Sequence, residues 1–205
     1  MRYFQNNSYS KIQLLSIISV MGGVSFILMF ISLPVPLFPS FLKLDISEVP
    51  ALLVSFMFGP VYGVFVVLIK NIIHLLFTST AGIGEFANFI IGSTLVFISG
   101  MMYKRISTKL ALAMSLFFGT LFMTIVAALM NYYILIPMYN FILPVEAILN
   151  ICKSINPRVE NLSDIIIFFI VPFNVIKGFL TSVLTYIIYK KLKASLKLKV
   201  DFLKK

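Results

Sequence analysis

Long stretches without charged residues limit what this sequence can fold into. Residues 12–33, 86–103 and 110–139 contain no charged side chain, and residues 165–189 contain a single lysine. About 20 apolar residues are enough to cross a bilayer as a helix. Because 60% of the 205 residues are hydrophobic, too little polar surface remains to cover a water-soluble globule. We therefore predict an all-α integral membrane protein.

The basic residues predict the topology of the chain in the membrane. Twelve of the 17 flank the apolar runs or fill the C-terminal tail. Lysine and arginine near the ends of spans favour the cytoplasmic side. Their clustering predicts cytoplasmic termini and an anionic leaflet as the neighbour of the tail, with no nucleic-acid partner. They are Arg2, Lys11, Lys104, Arg105, Lys109, Lys190, Lys191, Lys193, Lys197, Lys199, Lys204 and Lys205.

Residues 49–77 form either one span with a tail or two short spans. If Arg2 and Lys104 share a face, an even number of crossings separates them, which requires two spans in this region. The Gly59-Pro60 dipeptide provides the break. We predict six transmembrane helices in one domain over residues 1–205, with external segments at 34–47, 78–85 and 140–164. The first of these, with three prolines, is predicted to be an ordered lid or a re-entrant strap.

Polar residues within the predicted spans require a physical reason, because an ionised lysine near the bilayer centre is costly. Asn174 and Lys177 lie one helical turn apart, and Asn131 and Asn88 fall at a similar depth in other spans. Amides of this kind also join helices. A shared depth and a lysine are better explained by a polar pocket that opens outward, with Glu85 beside it.

Two further groups of residues are open to two interpretations. The lone His74, four residues after Lys70, is predicted to be a hydrogen-bonded core residue, since no carboxylate in its helix orients it for catalysis. Lys70 ties helices together or contacts a partner. Ser19 and Gly23 fit the pattern of small residues that lets another helix approach closely. This face either packs internally or docks a separate membrane subunit.

The sequence contains few residues suited to catalysis. It has no GxxxxGK[ST], HExxH or GxSxG pattern, and it has one histidine and one cysteine. The lone Cys152 has no internal disulfide partner, and no spacing indicates a metal site. We therefore predict a binding protein that needs no cofactor, and not an enzyme.

Five segments resemble the substrate-binding S-components of energy-coupling factor (ECF) vitamin transporters, and among them the riboflavin-specific branch. The segments appear in the family's order across nearly the whole chain. They are FLKLDISEVPAL (41–52), KNIIHLLF (70–77), GEFANFIIG (84–92), NYYILIPMY (131–139) and PFNVIKG (172–178).

The resemblance implies a six-helix bundle in a prokaryotic plasma membrane that captures riboflavin from outside. FMN is a candidate for an additional ligand, because it carries the same ring system. It implies three partners, a transmembrane coupling subunit and two cytoplasmic ATPases. Asn131, Asn174 and Lys177 would contact the ligand, with Asn88 and Glu85 nearby. Residues 41–45, including Asp45, would form the roof and rim. Leu42, Leu44 and Phe89 either provide the apolar walls of such a site or only pack against neighbouring helices.

Two alternatives remain at this point. An S-component for another vitamin, such as thiamine or biotin, would share the fold but would not require the pairing of PFNVIKG with NYY. A small intramembrane enzyme would predict that His74→Ala abolishes turnover, whereas the transport hypothesis predicts only altered binding or stability.

Overall fold

The computed structural model describes residues 10–108, 110–140 and 144–203. Of the basic residues used for topology, Arg2, Lys109, Lys204 and Lys205 lie outside these ranges. The described elements are α1 (Lys11–Phe30), β1 (Leu33–Pro34), β2 (Lys43–Leu44), α2 (Glu48–Met57), α3 (Pro60–His74), α4 (Ile83–Arg105), α5 (Ala111–Met130), α6 (Ile136–Tyr139), α7 (Val145–Ile155), α8 (Leu162–Ile165) and α9 (Val171–Leu203).

Two π-helical segments make longer helices continuous. Asn131–Leu135 joins α5 to α6, and Ile166–Ile170 joins α8 to α9. A 3-10 turn, Leu75–Phe77, extends α3. The helical stretches long and apolar enough to cross a membrane, within the described ranges, are therefore Lys11–Phe30, Pro60–Phe77, Ile83–Arg105, Ala111–Tyr139 and Leu162–Ala194.

The second predicted span differs from the other five. Helix α2 has 10 residues, about 15 Å of helix against about 30 Å of hydrocarbon. Every residue from Glu48 to Phe56 is buried, so α2 is surrounded by protein and not by lipid. The predicted all-α membrane fold is confirmed, with five spans of sufficient length, and the sixth crossing stays a prediction.

The position of α2 explains why so short a helix is sufficient. At its end, Phe56 packs on Tyr103 and Tyr189, with ring centroids 5.0 and 5.5 Å away. At its start, Glu48 contacts Lys177, which lies 13 residues before Lys190 on α9, or about 20 Å along the axis. Helix α2 thus runs from the middle of the bundle to the end that carries Lys104, Arg105 and Lys190, here called the basic end.

Residues 34–47, here called the strap, connect α1 to the start of α2. An antiparallel β1–β2 pair closes the strap, with Leu33 opposite Leu44. Phe38 packs edge to face on Phe169 and Phe173, at 6.2 and 5.8 Å between centroids. The predicted ordered lid is therefore folded against the C-terminal helical stretch.

Glycine determines where helices turn and where they meet. The predicted break lies at Gly59, whose φ of 130° suits glycine alone, and Pro60 begins α3. A Cβ on Gly63 would stand 2.7 Å from the Ala51 carbonyl oxygen, and one on Gly119 would stand 3.0 Å from that of Leu95. Because glycine has no Cβ, α3 can approach α2 closely at Gly63, and α5 can approach α4 closely at Gly119, as in other membrane bundles.

Candidate functional site

A cavity of about 280 Å³ lies at the end of the bundle opposite the basic end. The strap and the loop before α4 border it, and α4, α5 and α9 provide its walls. Apolar residues dominate the lining, with a few polar groups among them. The lining residues are Phe41, Leu42, Lys43, Glu48, Ser79, Thr80, Gly84, Ala87, Asn88, Ile91, Gly92, Met123, Asn131, Leu135, Ile136, Tyr139, Ile148, Ile165, Ile170, Phe173, Asn174 and Lys177.

Two lysines and two carboxylates form a buried network at the inner end of this cavity. Lys177 Nζ lies 2.9 Å from Asp45 Oδ2 and 3.6 Å from Glu48 Oε2. Lys70 Nζ lies 2.8 Å from Glu48 Oε1 and also donates to the Ser47 hydroxyl. The two positive and two negative charges balance, which offsets much of the cost of burying them. The network joins α3, the strap, α2 and α9.

Asp45 fixes the strap to α9. It accepts hydrogen bonds from Ser47 and Lys177. Burial alone would raise the pKa of Asp45, but the nearby ammonium groups of Lys177 and Lys70 outweigh burial and hold that pKa well below its usual range. Asp45 is therefore a carboxylate at every ordinary pH and holds Lys177 as its counter-ion.

The two asparagines have matching surroundings. Asn131 begins one π-helical segment, and Asn174 follows the other by four residues. Each amide nitrogen donates to the carbonyl four residues before it, Ala127 or Ile170, at 2.8 Å. This bond fixes the side chain and leaves Oδ1 and a second N–H for a ligand. Such π-helical turns often occur at functional sites.

The structure places five of the other predicted residues near the cavity in different ways. Leu42 and Asn88 line it, and the Oδ1 atom of Asn88 is buried without a hydrogen-bond partner in the described part of the chain. Leu44 lies in β2 and Phe89 packs against the core of the bundle; neither is a lining residue. Asp45 acts through Lys177.

Glu85 faces a second polar cluster beside the rim. Its carboxylate lies 2.8 Å from His74 Nδ1 and accepts from the Thr78 hydroxyl at 2.8 Å. Thr78 and Thr80 in turn accept from the backbone N–H groups of Gly82 and Gly84. His74 thus has a carboxylate partner from α4, although none exists in its own helix. The cluster holds the loop whose residues Ser79 and Thr80 border the cavity.

Glu48 borders the cavity and was not among the residues predicted from the sequence. It is 1% exposed and paired with Lys70. A charged pair split between two apolar segments was the available signal, since a buried lysine needs a nearby counter-ion.

The face of α1 that carries Ser19 and Gly23 does not pack inside the bundle. Gly22 makes the internal contact, where a Cβ would stand 2.6 Å from Ile69 Cγ2. A Cβ on Gly23 would meet no heavy atom within 4 Å in the described structure, and Ser19 is exposed. The neighbouring Val20 is 65% exposed.

A membrane-embedded bundle with a largely apolar cavity, a few fixed polar groups and a balanced charge network is a ligand-binding membrane protein. In the described residues, no three histidine, cysteine or acidic side chains are grouped to hold a metal ion. Residues 13–189 match the family model described as "ECF transporter, substrate-specific component". The chain belongs to this family.

Individual relatives agree with the family model. The chain is 38% identical over 180 residues to riboflavin transporter RibU of Staphylococcus aureus, covering 88% of this chain and 90% of that one. It is 33% identical over 186 residues to riboflavin transporter FmnP of Bacillus subtilis, covering 89% and 93%. A solved S component of a bacterial ECF transporter is 33% identical, with a TM-score of 0.73 and coverage of 92% of this chain and 99% of that one.

Proposed function

We propose that this protein is the subunit of an ECF-type transporter that binds riboflavin and mediates its uptake across the bacterial plasma membrane. The observation that carries the proposal is that Asn131, Asn174 and Lys177 border one cavity in a chain of the S-component family. Relatives that align over most of its length are named riboflavin transporters.

The chemistry of the cavity suits a flavin. An isoalloxazine has a broad apolar plane and a uracil-like edge with two carbonyls and an N–H. An asparagine both donates and accepts at such an edge, and a lysine donates to a carbonyl or ring nitrogen. Leu42 and Ile91 provide apolar wall, while Asn88 and the loop held by Glu85 offer polar contacts for the ribityl hydroxyls. Because FMN carries the same ring system, we propose it as an additional ligand of this site.

The proposed orientation places both termini in the cytoplasm, with six crossings and the cavity open to the outside. Helix α2 would make the second crossing, and the strap before it would be an external lid or a re-entrant segment. The basic end of the bundle supports this orientation, because Lys104, Arg105 and Lys190 lie there.

Uptake would require partners, namely a transmembrane coupling subunit and two cytoplasmic ATPases. This subunit would act without an ATP site or an enzymatic activity of its own. The unpacked face of α1 around Ser19 and Gly23 is the proposed docking surface for the coupling subunit, because its small residues allow a close helix approach.

A flavin titration tests the proposed function. The purified protein is expected to quench riboflavin fluorescence at a stoichiometry of one ligand per chain, and excess thiamine or biotin is expected not to reverse the quenching. A protein that leaves riboflavin fluorescence unchanged, or that releases riboflavin to thiamine or biotin, would contradict the proposal. Repeating the titration with FMN measures whether the phosphate is tolerated.

A further inference from the structure

The Glu48 carboxylate has one oxygen without a hydrogen-bond partner at the cavity wall. Its Oε1 atom accepts from Lys70 Nζ at 2.8 Å. Its Oε2 atom is buried and accepts no hydrogen bond from any described residue. The nearest cation to Oε2, Lys177 Nζ, lies 3.6 Å away, which is within ion-pair range but too long for a hydrogen bond.

The surrounding helices hold this carboxylate in place. A Cβ on Gly92 would stand 2.9 Å from Glu48 Oε1, so a glycine in α4 leaves the space that the carboxylate occupies. Lys70 is completely buried, is not a lining residue of the cavity, and directs its ammonium group to Ser47 and Glu48. Burying a lysine is costly unless it is paired, so its evident role is to hold Glu48.

A buried acceptor without a donor costs free energy, which a ligand recovers if it brings an N–H or O–H group to that atom. We infer that Glu48 contacts the ligand by accepting a hydrogen bond through Oε2, and that Lys70 is the positioning residue that holds Glu48 there. This inference rests on the proposed riboflavin site. A flavin offers two such donors, the ring N3–H and the ribityl hydroxyls. An ionised carboxylate only accepts hydrogen bonds, so Glu48 requires a donor on the ligand. An asparagine can pair with either a donor or an acceptor.

Glu48→Gln tests the contact, because glutamine keeps the shape and removes the charge. Riboflavin affinity is expected to fall by about tenfold or more, as for other hydrogen bonds to charged groups. The same comparison is made with riboflavin methylated at N3 and with lumiflavin, in which a methyl group replaces the ribityl chain. For the analogue that lacks the donor contacted by Glu48, the ratio of the parent's affinity to that of Glu48→Gln is expected to fall towards one.

The outcomes of this test separate the inference from the proposed function. Glu146→Gln, on the exposed side of α7, is the matched control and is expected to bind riboflavin like the parent. If Glu48→Gln also binds like the parent, or if its loss is equal for riboflavin and both analogues, the inference is overturned. A parent protein that binds no riboflavin would instead overturn the proposed function.

Lys70→Met tests the positioning role. It is expected to weaken riboflavin binding about as much as Glu48→Gln does, and to add less than about twofold when combined with Glu48→Gln, because neighbours that act through one another are not additive. If Lys70→Met weakens riboflavin binding by the same factor in the Glu48→Gln background as in the parent, the positioning role is overturned. If Lys70→Met alone does not fold, the double variant, whose remaining Lys177–Asp45 pair is balanced, is compared with Glu48→Gln alone and decides the question.

Discussion

Lys177 and Asp45 are 132 positions apart in the sequence, and their side chains form a 2.9 Å ion pair between α9 and the strap. Lys177 borders the cavity, and Asp45 belongs to the segment that covers it. The pair is therefore the direct electrostatic link between the cover of the cavity and its wall. Any ligand that binds Lys177 shares that ammonium group with the strap.

Asp45→Asn is expected to destabilise the protein and to change its response to acid. The pKa of Asp45 lies below its ordinary value of 3.8, so the stability that this carboxylate contributes is complete above about pH 4 and is lost as the pH falls further. At pH 7 the variant leaves a buried lysine with only the weaker Glu48 contact, which costs about 1 to 3 kcal/mol. Thermal unfolding in detergent from pH 7 to pH 3 measures both effects.

The control for this prediction is Glu160→Gln, which removes an exposed carboxylate. It is expected to unfold at the parent's temperature at pH 7. The parent should lose more stability than Asp45→Asn between pH 4 and pH 3, because the variant has already lost this contribution. Parallel losses in the parent and Asp45→Asn would show that Asp45 does not stabilise the fold electrostatically.

Asn174→Ala is expected to weaken riboflavin binding by at least about tenfold, because the ligand loses a desolvated partner that both donates and accepts. The only intramolecular bond made by its amide nitrogen among the described contacts is to Ile170 within the same stretch of helix. Stability without ligand should therefore change by less than binding does. Fluorescence titration and thermal unfolding, measured side by side, separate the two effects.

Thr94→Ala is the control for the asparagine, because Thr94 likewise donates to the carbonyl four residues before it, Ile90, and is not a cavity residue. It is expected to leave riboflavin affinity unchanged. Equal affinities of Asn174→Ala and the parent would mean that the ligand site lies elsewhere.

Cysteine labelling is expected to locate the two ends of the bundle. Cys152 is a poor reporter, because it is buried and burial raises the pKa of its thiol to about 11. We therefore suggest Cys152→Ala as the background, with Ser154→Cys in α7 or Ser107→Cys after α4, both at exposed positions. A membrane-impermeant maleimide should label the first in intact cells and the second only after permeabilisation. The reverse pattern would contradict the proposed orientation.

The length of the uncharged apolar runs predicted the long spans, because a bilayer requires about 20 apolar residues whatever their packing. The sequence also predicted a short helix before the Gly59-Pro60 break, but it could not show that α2 is enclosed by protein, since an apolar run of this kind fits contact with lipid equally well. Asn131, Asn174 and Lys177 were predictable as polar residues at one depth. The sequence shows Glu48 and Lys70 as opposite charges in two apolar segments, but it could not show that they pair, because the distance between those segments depends on the fold.

Gly23→Leu is expected to leave riboflavin binding intact and to impair transport. A Cβ at Gly23 meets no heavy atom within 4 Å in the described structure, so the isolated protein should accommodate a larger side chain on that face of α1. A coupling subunit that packs closely against Gly23 would be displaced by it. Riboflavin titration of the purified protein and uptake by cells that express the complete transporter are measured together. Val183→Leu, at an exposed position of α9 outside the proposed docking face, is the matched control and should retain both properties. If Gly23→Leu supports uptake at the parent's rate, the coupling subunit does not dock closely at this face.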